Sequence, residues 1–571
     1  MCSFNMHAHK ILKAALPDIH LQNILSKELG ISKILAQLLI NRGIKTKEEA
    51  RKFLNPKLGH LLDPYSFADM HNAVKLIERA AKNKERVMVF GDYDVDGITS
   101  LTLLKTTLSK KGIDVVHYLP HRIKEGYGLN KNILHLAKQK NIKLLITADC
   151  GTNNHDEIKE LRRHNIDVIV TDHHESVSHN LPPATNIINP KVQGCSYKYK
   201  DLAGVGVVYK LCQAITGQTL ADDLDLVSLG TIADVVPLTG ENRIIAKEGL
   251  SRLSQTKRIG LQALIQTSGL RNRKMTSTFV SYILGPRINA SGRMDTAEVA
   301  LNLLMSAEKN KADELAKTVE AYNRERQKTE DKILEEAQGM IDREVNFKDH
   351  KIIVIAKEGW HQGVLGIVAS KLMDRFYRPT ILISKTSDMC KGSGRSIKNF
   401  HLFQALLDCQ EFLHTFGGHS HAVGLVIAKD SIEDFKNKIN RLAHERLRVE
   451  DLLPSLDIDM ELSLSDLNET IITELEALEP IGIGNPQPLF YTRNLKLKDE
   501  PQLLGRDTLK FWVTDGYITY PAIGFGMSNF KYSLINADCF DLVYSPQADS
   551  WEGKTSLILE VKDIFFNSLS R

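Results

Sequence analysis

Five short acidic clusters in the first 235 residues each close what reads as a β-strand. They are Gly91-Asp92-Tyr93-Asp94-Val95-Asp96-Gly97, Ala148-Asp149-Cys150-Gly151, Thr171-Asp172-His173-His174-Glu175, Ile232-Ala233-Asp234 and the weaker pair Asp222-Asp223. The first three follow apolar runs at residues 86–90 (RVMVF), 143–147 (KLLIT) and 167–170 (DVIV). Carboxylates and imidazoles at the ends of parallel strands converge on one rim of the sheet, where open α/β folds build their sites. Hard oxygen ligands mixed with a few nitrogens suit Mg²⁺ or Mn²⁺ better than Zn²⁺, which more often recruits Cys. A lone Asp at a strand end is commonly a turn or helix-cap residue, and Asp222-Asp223 is set aside on that ground. Asp92, Asp94 and Asp96, alternating over five residues, would repel one another unless a cation or several backbone N–H groups compensated. Adjacent His173 and His174 point different ways, so one can bind metal while the other faces substrate. This is the donor set of a carboxylate-rich di-metal hydrolase. Two cations about 3.5–4 Å apart activate water and stabilise both oxygens of an in-line phosphoryl displacement.

Such clusters need a parallel sheet to hold them. Across residues 71–304 apolar strands alternate with helical stretches, the βαβ rhythm of a mostly parallel sheet covered by helices. Residues 98–108 look like the helix after the first cluster. Residues 1–70 form a helical leader, with Leu35, Leu38, Leu39, Ala50, Phe53 and Leu54 at helical spacing. Residues 305–345 are dense in charge, lack Pro and contain one Gly, which predicts a long solvent-exposed helix spanning between domains. A second α/β domain follows over residues 346–449, opening on Lys351-Ile352-Ile353-Val354-Ile355-Ala356. Residues 450–571 carry short alternating runs between Gly and Pro, the pattern of a small closed β-barrel.

The 571-residue length fits three or four domains, and 42% hydrophobic with 25% charged residues is ordinary for a globular protein. A net charge of +4 mildly favours a polyanionic partner, because metal-site carboxylates mask basic surface in such a sum. Seven Cys without a Cys-x-x-Cys pair give neither a disulfide framework nor a zinc site, and Cys150 is expected as strand-end filler. No run has transmembrane length or a signal-peptide pattern, so a cytoplasmic protein without membrane association is expected.

Asp172-His173-His174 matches the signature of the DHH phosphoesterase superfamily, and Asp92-Tyr93-Asp94-Val95-Asp96-Gly97 resembles the form found in the RecJ family of bacterial single-strand-specific exonucleases. Further segments resembling that family are Ala148-Asp149-Cys150-Gly151-Thr152, Ile232-Ala233-Asp234-Val235-Val236-Pro237-Leu238 and Gly285-Pro286-Arg287-Ile288-Asn289-Ala290. Gly392-Ser393-Gly394-Arg395-Ser396 and Gly417-Gly418-His419-Ser420-His421 resemble the DHH-associated domain, and Glu479-Pro480-Ile481-Gly482-Ile483-Gly484-Asn485-Pro486 the RecJ C-terminal region. The likeness runs from about Ile31 to the end of the chain.

On matching positions the resemblance implies Asp149 as the carboxylate bridging two Mn²⁺ or Mg²⁺ ions, Asp94 on one ion, and Asp96, His173 and Asp234 on the other. Asp92 would orient the attacking water or complete the first ion's shell, and His174 would face the scissile phosphate as a donor. Arg287, Asn289 and Arg293 form a polar set in a Gly-Pro-bounded loop, and Arg matches phosphate bidentately. Gly417 and Gly418 let backbone N–H groups approach an anion, so with Arg395 and His419 they are expected to grip a phosphate away from the metals. Trp360-His361-Gln362-Gly363 admits both a capping and a substrate role, and Tyr127, Tyr197, Tyr199, Phe511, Trp512 and Trp551 are too scattered to assign.

The resemblance further implies an OB-fold for the terminal barrel and a 5′-to-3′ exonuclease of single-stranded DNA acting in repair and recombination. It implies a monomer whose partners include single-strand binding protein and a helicase. A phosphodiesterase of short oligonucleotides or cyclic dinucleotides is the alternative, disfavoured by the leader and the barrel. A non-catalytic scaffold is disfavoured by the intact Asp94, Asp96, Asp149, His173 and Asp234.

Overall fold

A computed structural model describes residues 10–176, 180–386, 388–505, 507–551 and 554–566. The chain forms two compact units, one built from residues 63–234 and 249–454, the other from residues 11–62, 235–248 and the segment from 455 onward.

In the first unit a five-stranded parallel sheet runs in the order Val115–Tyr118, Arg86–Gly91, Ile142–Ala148, Asp167–Thr171, Asn186–Ile188. Val87 through Phe90 and Leu144 through Ile146 are wholly buried, which is why these strands read as unbroken apolar runs rather than alternating ones. Counted along the chain the order is 2-1-3-4-5, so the connections diverge between the first and third strands and open a crevice at their carboxyl ends. The register sets Gly91 level with Ala148 and Ala148 level with Thr171. The ladder continues one step further through Asp92 N to Ala148 O (3.3 Å), Asp149 N to Thr171 O (3.0 Å) and Asp172 N to Ile188 O (3.1 Å). Three of the acidic clusters are thereby brought abreast.

The first cluster feeds the helix Val95–Lys110, against which the buried helices Gly204–Thr216 and Leu224–Ala233 pack. Gly285–Met294 is helical, where a loop was expected. Pro286 lies in its first turn, where fixed φ favours a helix and no N–H is needed, so Gly-Pro opens a helix rather than bounding a loop.

Lys309–Glu344 is one 36-residue helix, but it is not exposed all round. Ala312, Ala316 and Val319 are buried along its first half, and Ile333, Ala337 and Ile341 along its second. The helix packs on Gly285–Met294 and on Leu365–Phe376. These apolar residues at i,i+3 and i,i+4 spacing are easily overlooked in so charged a sequence. The mixed sheet that follows is ordered Leu413–Gly418, Ala422–Ala428, Met389–Arg395, Thr380–Ser384, Ile353–Lys357.

In the second unit Phe490–Leu497 pairs with Phe540–Trp551 on one side and with Thr508–Thr514 on the other, partly closing a seven-stranded sheet. Its core joins Phe490, Phe511 and Phe540 to Leu35, Leu38, Leu39 and Ala50 from the helices Lys33–Asn41 and Lys47–Leu54. Such short helices gain most of their stability from tertiary packing of their apolar face, and here the leader shares one core with the barrel. The leader is not wholly helical either, since Ile11–Ala14 is a strand paired with Ser455–Ile458.

Candidate active site

Asp94 caps the helix Val95–Lys110, its Oδ1 accepting from Gly97 N at 3.0 Å. The cap and ligand readings are compatible, because the second carboxylate oxygen stays available. Asp96, in the first turn, is buried and receives Gly204 N and Val205 N on its two oxygens, each at 2.7 Å. These N–H groups begin the helix Gly204–Thr216, whose positive end favours an anion. Asp149 has φ of +66° and carries its carboxylate against Gly204 so closely that a Cβ there would lie 2.4 Å from Oδ1.

His173 Nε2 lies 3.2 Å from Asp149 Oδ1, 3.5 Å from Asp234 Oδ2 and 3.9 Å from Asp96 Oδ2. Two sets of donor atoms within 4.8 Å of one another adjoin here, Asp92–Asp94–Asp149 and Asp96–His173–Asp234. Asp149 belongs to the first and touches the second, the place a bridging carboxylate requires. Asp92 groups with Asp94 and Asp149, which makes the first set wholly carboxylate.

The electrostatics fit cations. Asp92 Oδ1, Asp149 Oδ1, His173 Nε2 and Asp234 Oδ2 are buried without a hydrogen-bond partner. Burial and mutual repulsion push the Asp92, Asp149 and Asp234 carboxyls well above the usual range, and Asp96 to about 7. Burial and His174 push His173 down to about 3, keeping the neutral imidazole that binds metal.

His174 is held differently. Asp172 Oδ1 accepts from His173 N (2.7 Å), His174 N (3.1 Å) and His174 Nδ1 (2.8 Å), while Oδ2 accepts from Thr152 N (2.9 Å). Burial acts against ionising both partners, but their hydrogen bond prevails: Asp172 stays far below the usual carboxylate range and His174 is raised. Tyr127 Oη donates to the Asp149 carbonyl at 3.2 Å and lies 3.0 Å from His174 Nδ1. Asn189 Nδ2 donates to the His174 carbonyl and to Thr152 Oγ1, each at 2.9 Å.

Beside the acidic groups stands a cluster of arginines. Arg122 lies over the Tyr93 ring, 4.6 Å from its centre. Arg293 donates to Gly363 O at 2.9 Å, and Arg395 passes Gly366 so closely that a Cβ there would meet its Nη2 at 2.7 Å. Burial, with Arg122, Arg326 and Arg395 nearby, pushes Arg293 down to about 9. Like charges gathered in one place and partly desolvated favour an anion. The Trp360-His361-Gln362-Gly363 segment seats this cluster, with Trp360 buried and donating to Glu336 Oε2 (2.8 Å) and His361 accepting from Gly363 N (3.2 Å).

Other expected contacts lie elsewhere. Arg287 Nε donates to Glu320 Oε2 at 2.7 Å, so its guanidinium ties two helices together. Asn289 Oδ1 accepts from Val95 N at 3.2 Å, steadying the first metal loop. Gly417, Gly418 and His419 are exposed at a hairpin beside Arg395, whose strand partner is Ala422. His419 N is used by Ala422 O at 2.8 Å, which leaves that N–H unavailable to an anion. Cys150 is buried in the core, its thiol pushed well above the usual range by burial.

Sequence reasoning missed Asp172, Tyr127, Asn189, Arg122 and Gly204 as site groups. Position immediately before the His pair was the one available signal for Asp172.

The model of the DHH family, N-terminal domain, matches residues 86–231, that of the DHHA1 domain residues 349–445, and that of the RecJ OB domain residues 458–563. The chain is 38% identical over 550 residues to the single-stranded-DNA-specific exonuclease RecJ of Bacillus subtilis, covering 96% of this chain and 70% of that one. It is 33% identical over 539 residues to the protein of the same name from Haemophilus influenzae, covering 89% and 93%. The crystal structure of RecJ in complex with Mn²⁺ from Thermus thermophilus superimposes with a TM-score of 0.85 at 27% identity, covering 98% of this chain and 80% of that one.

Proposed function

The chain belongs to the RecJ family of single-stranded-DNA-specific exonucleases, and from that premise we propose that it hydrolyses phosphodiester bonds of single-stranded DNA from the 5′ end with two Mn²⁺ or Mg²⁺ ions. The observation that carries the reading is the meeting of two donor sets at Asp149, at the crevice where the strand order diverges. Asp92, Asp94 and Asp149 would hold one ion and Asp96, His173, Asp234 and Asp149 the other. Bound there, the pair supplies the Lewis acidity that makes water nucleophilic and offsets charge on the phosphate.

The protein's own groups do the rest. Asp172 engages His174 Nδ1 and favours the protonated ring, leaving Nε2 to donate to a phosphate oxygen. Arg122, Arg293 and Arg395 hold a further phosphate, and Gly417, Gly418 and His419 form the exposed hairpin beside it. Strand direction comes from this grip, because the metal chemistry is indifferent to it. Action in DNA repair and recombination, a cytoplasmic location, a monomeric state, and docking to single-strand binding protein and a helicase belong to the same reading. Among the described residues no helix is long and apolar enough to cross a membrane.

The test is incubation of long 5′-labelled single strands, duplex and dinucleotides with Mn²⁺, with and without chelator. Chelator-sensitive loss of label from single strands alone supports the reading. Preferential cleavage of dinucleotides would replace it with the short-oligonucleotide alternative.

A further inference from the structure

Residues 119–132 join the strand Val115–Tyr118 to the helix Ile133–Gln139 and form neither helix nor strand themselves. Irregular connections of that length are where binding and catalytic groups concentrate. This one brings two side chains to the active site. Arg122 covers the ring of Tyr93, the residue between Asp92 and Asp94, at 4.6 Å from its centre. Tyr127 Oη donates to the Asp149 carbonyl at 3.2 Å, so a lone pair is left for His174 Nδ1 at 3.0 Å. An irregular segment holds two such groups in place only where its own backbone is fixed.

Glu125, between them in sequence and half-buried, has both carboxylate oxygens engaged within this one stretch of chain. Oε1 accepts from Tyr118 Oη (2.6 Å) and Asn130 Nδ2 (2.8 Å), and Oε2 from His121 N (2.6 Å). Glu125 N donates back to His121 O at 2.8 Å. One side chain therefore ties the end of the strand to the residue before Arg122 and to the far end of the segment. Hydrogen bonds to an ionised carboxylate are about twice as strong as neutral ones. Burial and this carboxylate push the Tyr118 phenol up to about 12, which keeps it a donor. Beyond Tyr127 the anchor is Asn154, whose Oδ1 accepts from Leu129 N and whose Nδ2 donates to Leu129 O, each at 3.1 Å. Gly126 and Gly128 flank Tyr127, each at φ +81°, so the chain turns sharply on both sides of it. The place of Tyr127 is then set by where Glu125 and Leu129 are pinned.

We propose that Glu125 is a positioning residue for the nuclease reaction, seating Arg122 for the strand's phosphate and Tyr127 against His174 through one carboxylate. It touches neither substrate nor metal. Its effect passes through the two side chains on either side of it. The inference rests on the reading of Arg122 as a phosphate ligand and of His174 as a donor to the scissile phosphate.

The test measures kcat/KM and maximal single-turnover rate of the full-length protein with Mn²⁺ on single strands bearing a 5′-phosphate or a 5′-hydroxyl. Arg122→Ala should lower the preference for the 5′-phosphate, and Tyr127→Phe the maximal rate. Glu125→Ala should do both, at a cost of about 100-fold in kcat/KM on the 5′-phosphate strand, the loss expected when reacting groups shift by about 1 Å. Placed in an Arg122→Ala, Tyr127→Phe background, Glu125→Ala should cost no more than about twofold, because the groups it seats are already gone. A merely structural carboxylate would cost the same in both backgrounds, and that result overturns the proposal. So does a folded Glu125→Ala protein with wild-type preference and rate. Glu125→Gln keeps an oxygen for Tyr118 and Asn130 but turns an amide donor toward His121 N, so it should show a smaller loss in the same two readouts. Circular dichroism selects folded samples, and if Glu125→Ala fails to fold, Glu125→Gln decides in the same two backgrounds. Wild-type preference in Arg122→Ala together with a wild-type rate in Tyr127→Phe would instead overturn the reading of the phosphate grip and the donor beneath it.

Discussion

Replacing Gly204 by Ala tests the active-site geometry without replacing any charged group. The new Cβ would stand 2.4 Å from Asp149 Oδ1 and 2.7 Å from its Cγ. An ordinary contact starts near 3.4 Å, so the carboxylate must retreat by about 1 Å. Displacements of that size at reacting groups cost about 100-fold, or about 2.7 kcal/mol of transition-state stabilisation. The Gly204 N–H still donates to Asp96, and Ala is a better helix former than Gly by about 0.5–1 kcal/mol. The gain partly offsets the overpacking, which costs about 1–3 kcal/mol. Single-turnover cleavage of 5′-labelled single strands at saturating Mn²⁺ should therefore fall about 100-fold while melting temperature moves by only a few degrees. Gly206→Ala in the same helix is the control, because its Cβ meets the movable Leu202 Cδ2 at 3.1 Å and activity should persist. Gly204→Ala activity within about twofold of wild type, with unaltered Mn²⁺ affinity, would refute the placement of Asp149 as the shared ligand.

Asp149→Ala should abolish hydrolysis while single-strand binding, measured by anisotropy in chelator, partly survives; more than about 1% residual rate at saturating Mn²⁺ would sink the bridging role. Asp172→Asn removes the charge that raises His174, so the alkaline limb of the kcat/KM profile should move to lower pH, and an unmoved limb would dissociate the pair from catalysis. In chelator, carboxyls raised in the fold, Asp96 among them, bind protons more tightly folded than unfolded. Stability should then fall as pH rises from about 4 to about 7, and added Mn²⁺ should raise the melting temperature more at pH 8 than at pH 5. Arg395→Ala should cost roughly tenfold to over a hundredfold in preference for a 5′-phosphate over a 5′-hydroxyl end, from about 1.5–3 kcal/mol per charge-assisted hydrogen bond. Arg287→Ala, which loses Glu320, should lower the melting temperature and leave that preference intact.

Asp92, Asp94, Asp149 and His173 were legible as candidates because each follows an apolar strand, and strand ends in a parallel sheet meet by topology, whereas Ile232-Ala233-Asp234, read as a strand end too, closes the helix Leu224–Ala233. Supporting groups carry no such local mark. Gly204 and Val205 reach Asp96 across 108 and 109 residues, and nothing in Ala203-Gly204-Val205-Gly206 announces that two of its N–H groups receive a carboxylate. Arg287 and Arg293 are six residues apart in one motif, yet Glu320 takes the first and Gly363 O receives the second. Composition could not tell a phosphate ligand from a tie between helices. Periodicity in the leader marked Leu35, Leu38 and Leu39 as buried but could not name Phe490 and Phe511 as what covers them.

The charges explain why one phosphate must sit where acidic and basic groups adjoin. Asp92, Asp94, Asp96, Asp149 and Asp234 place five carboxylates around a neutral His173, more negative charge than two divalent cations neutralise. The remainder favours no anion, so the metal site alone would bind a polyanionic strand poorly. Arg122, over the ring of Tyr93 between Asp92 and Asp94 in sequence, opposes the acidic charge felt at Asp92. From there Arg293 and Arg395 continue positive charge away from the metals, each seated by a different element. A strand whose phosphates step from one region to the other satisfies both. In the proposed reading, polarity then requires that the arginine cluster engage one particular end of the strand, a selectivity two equivalent cations cannot provide.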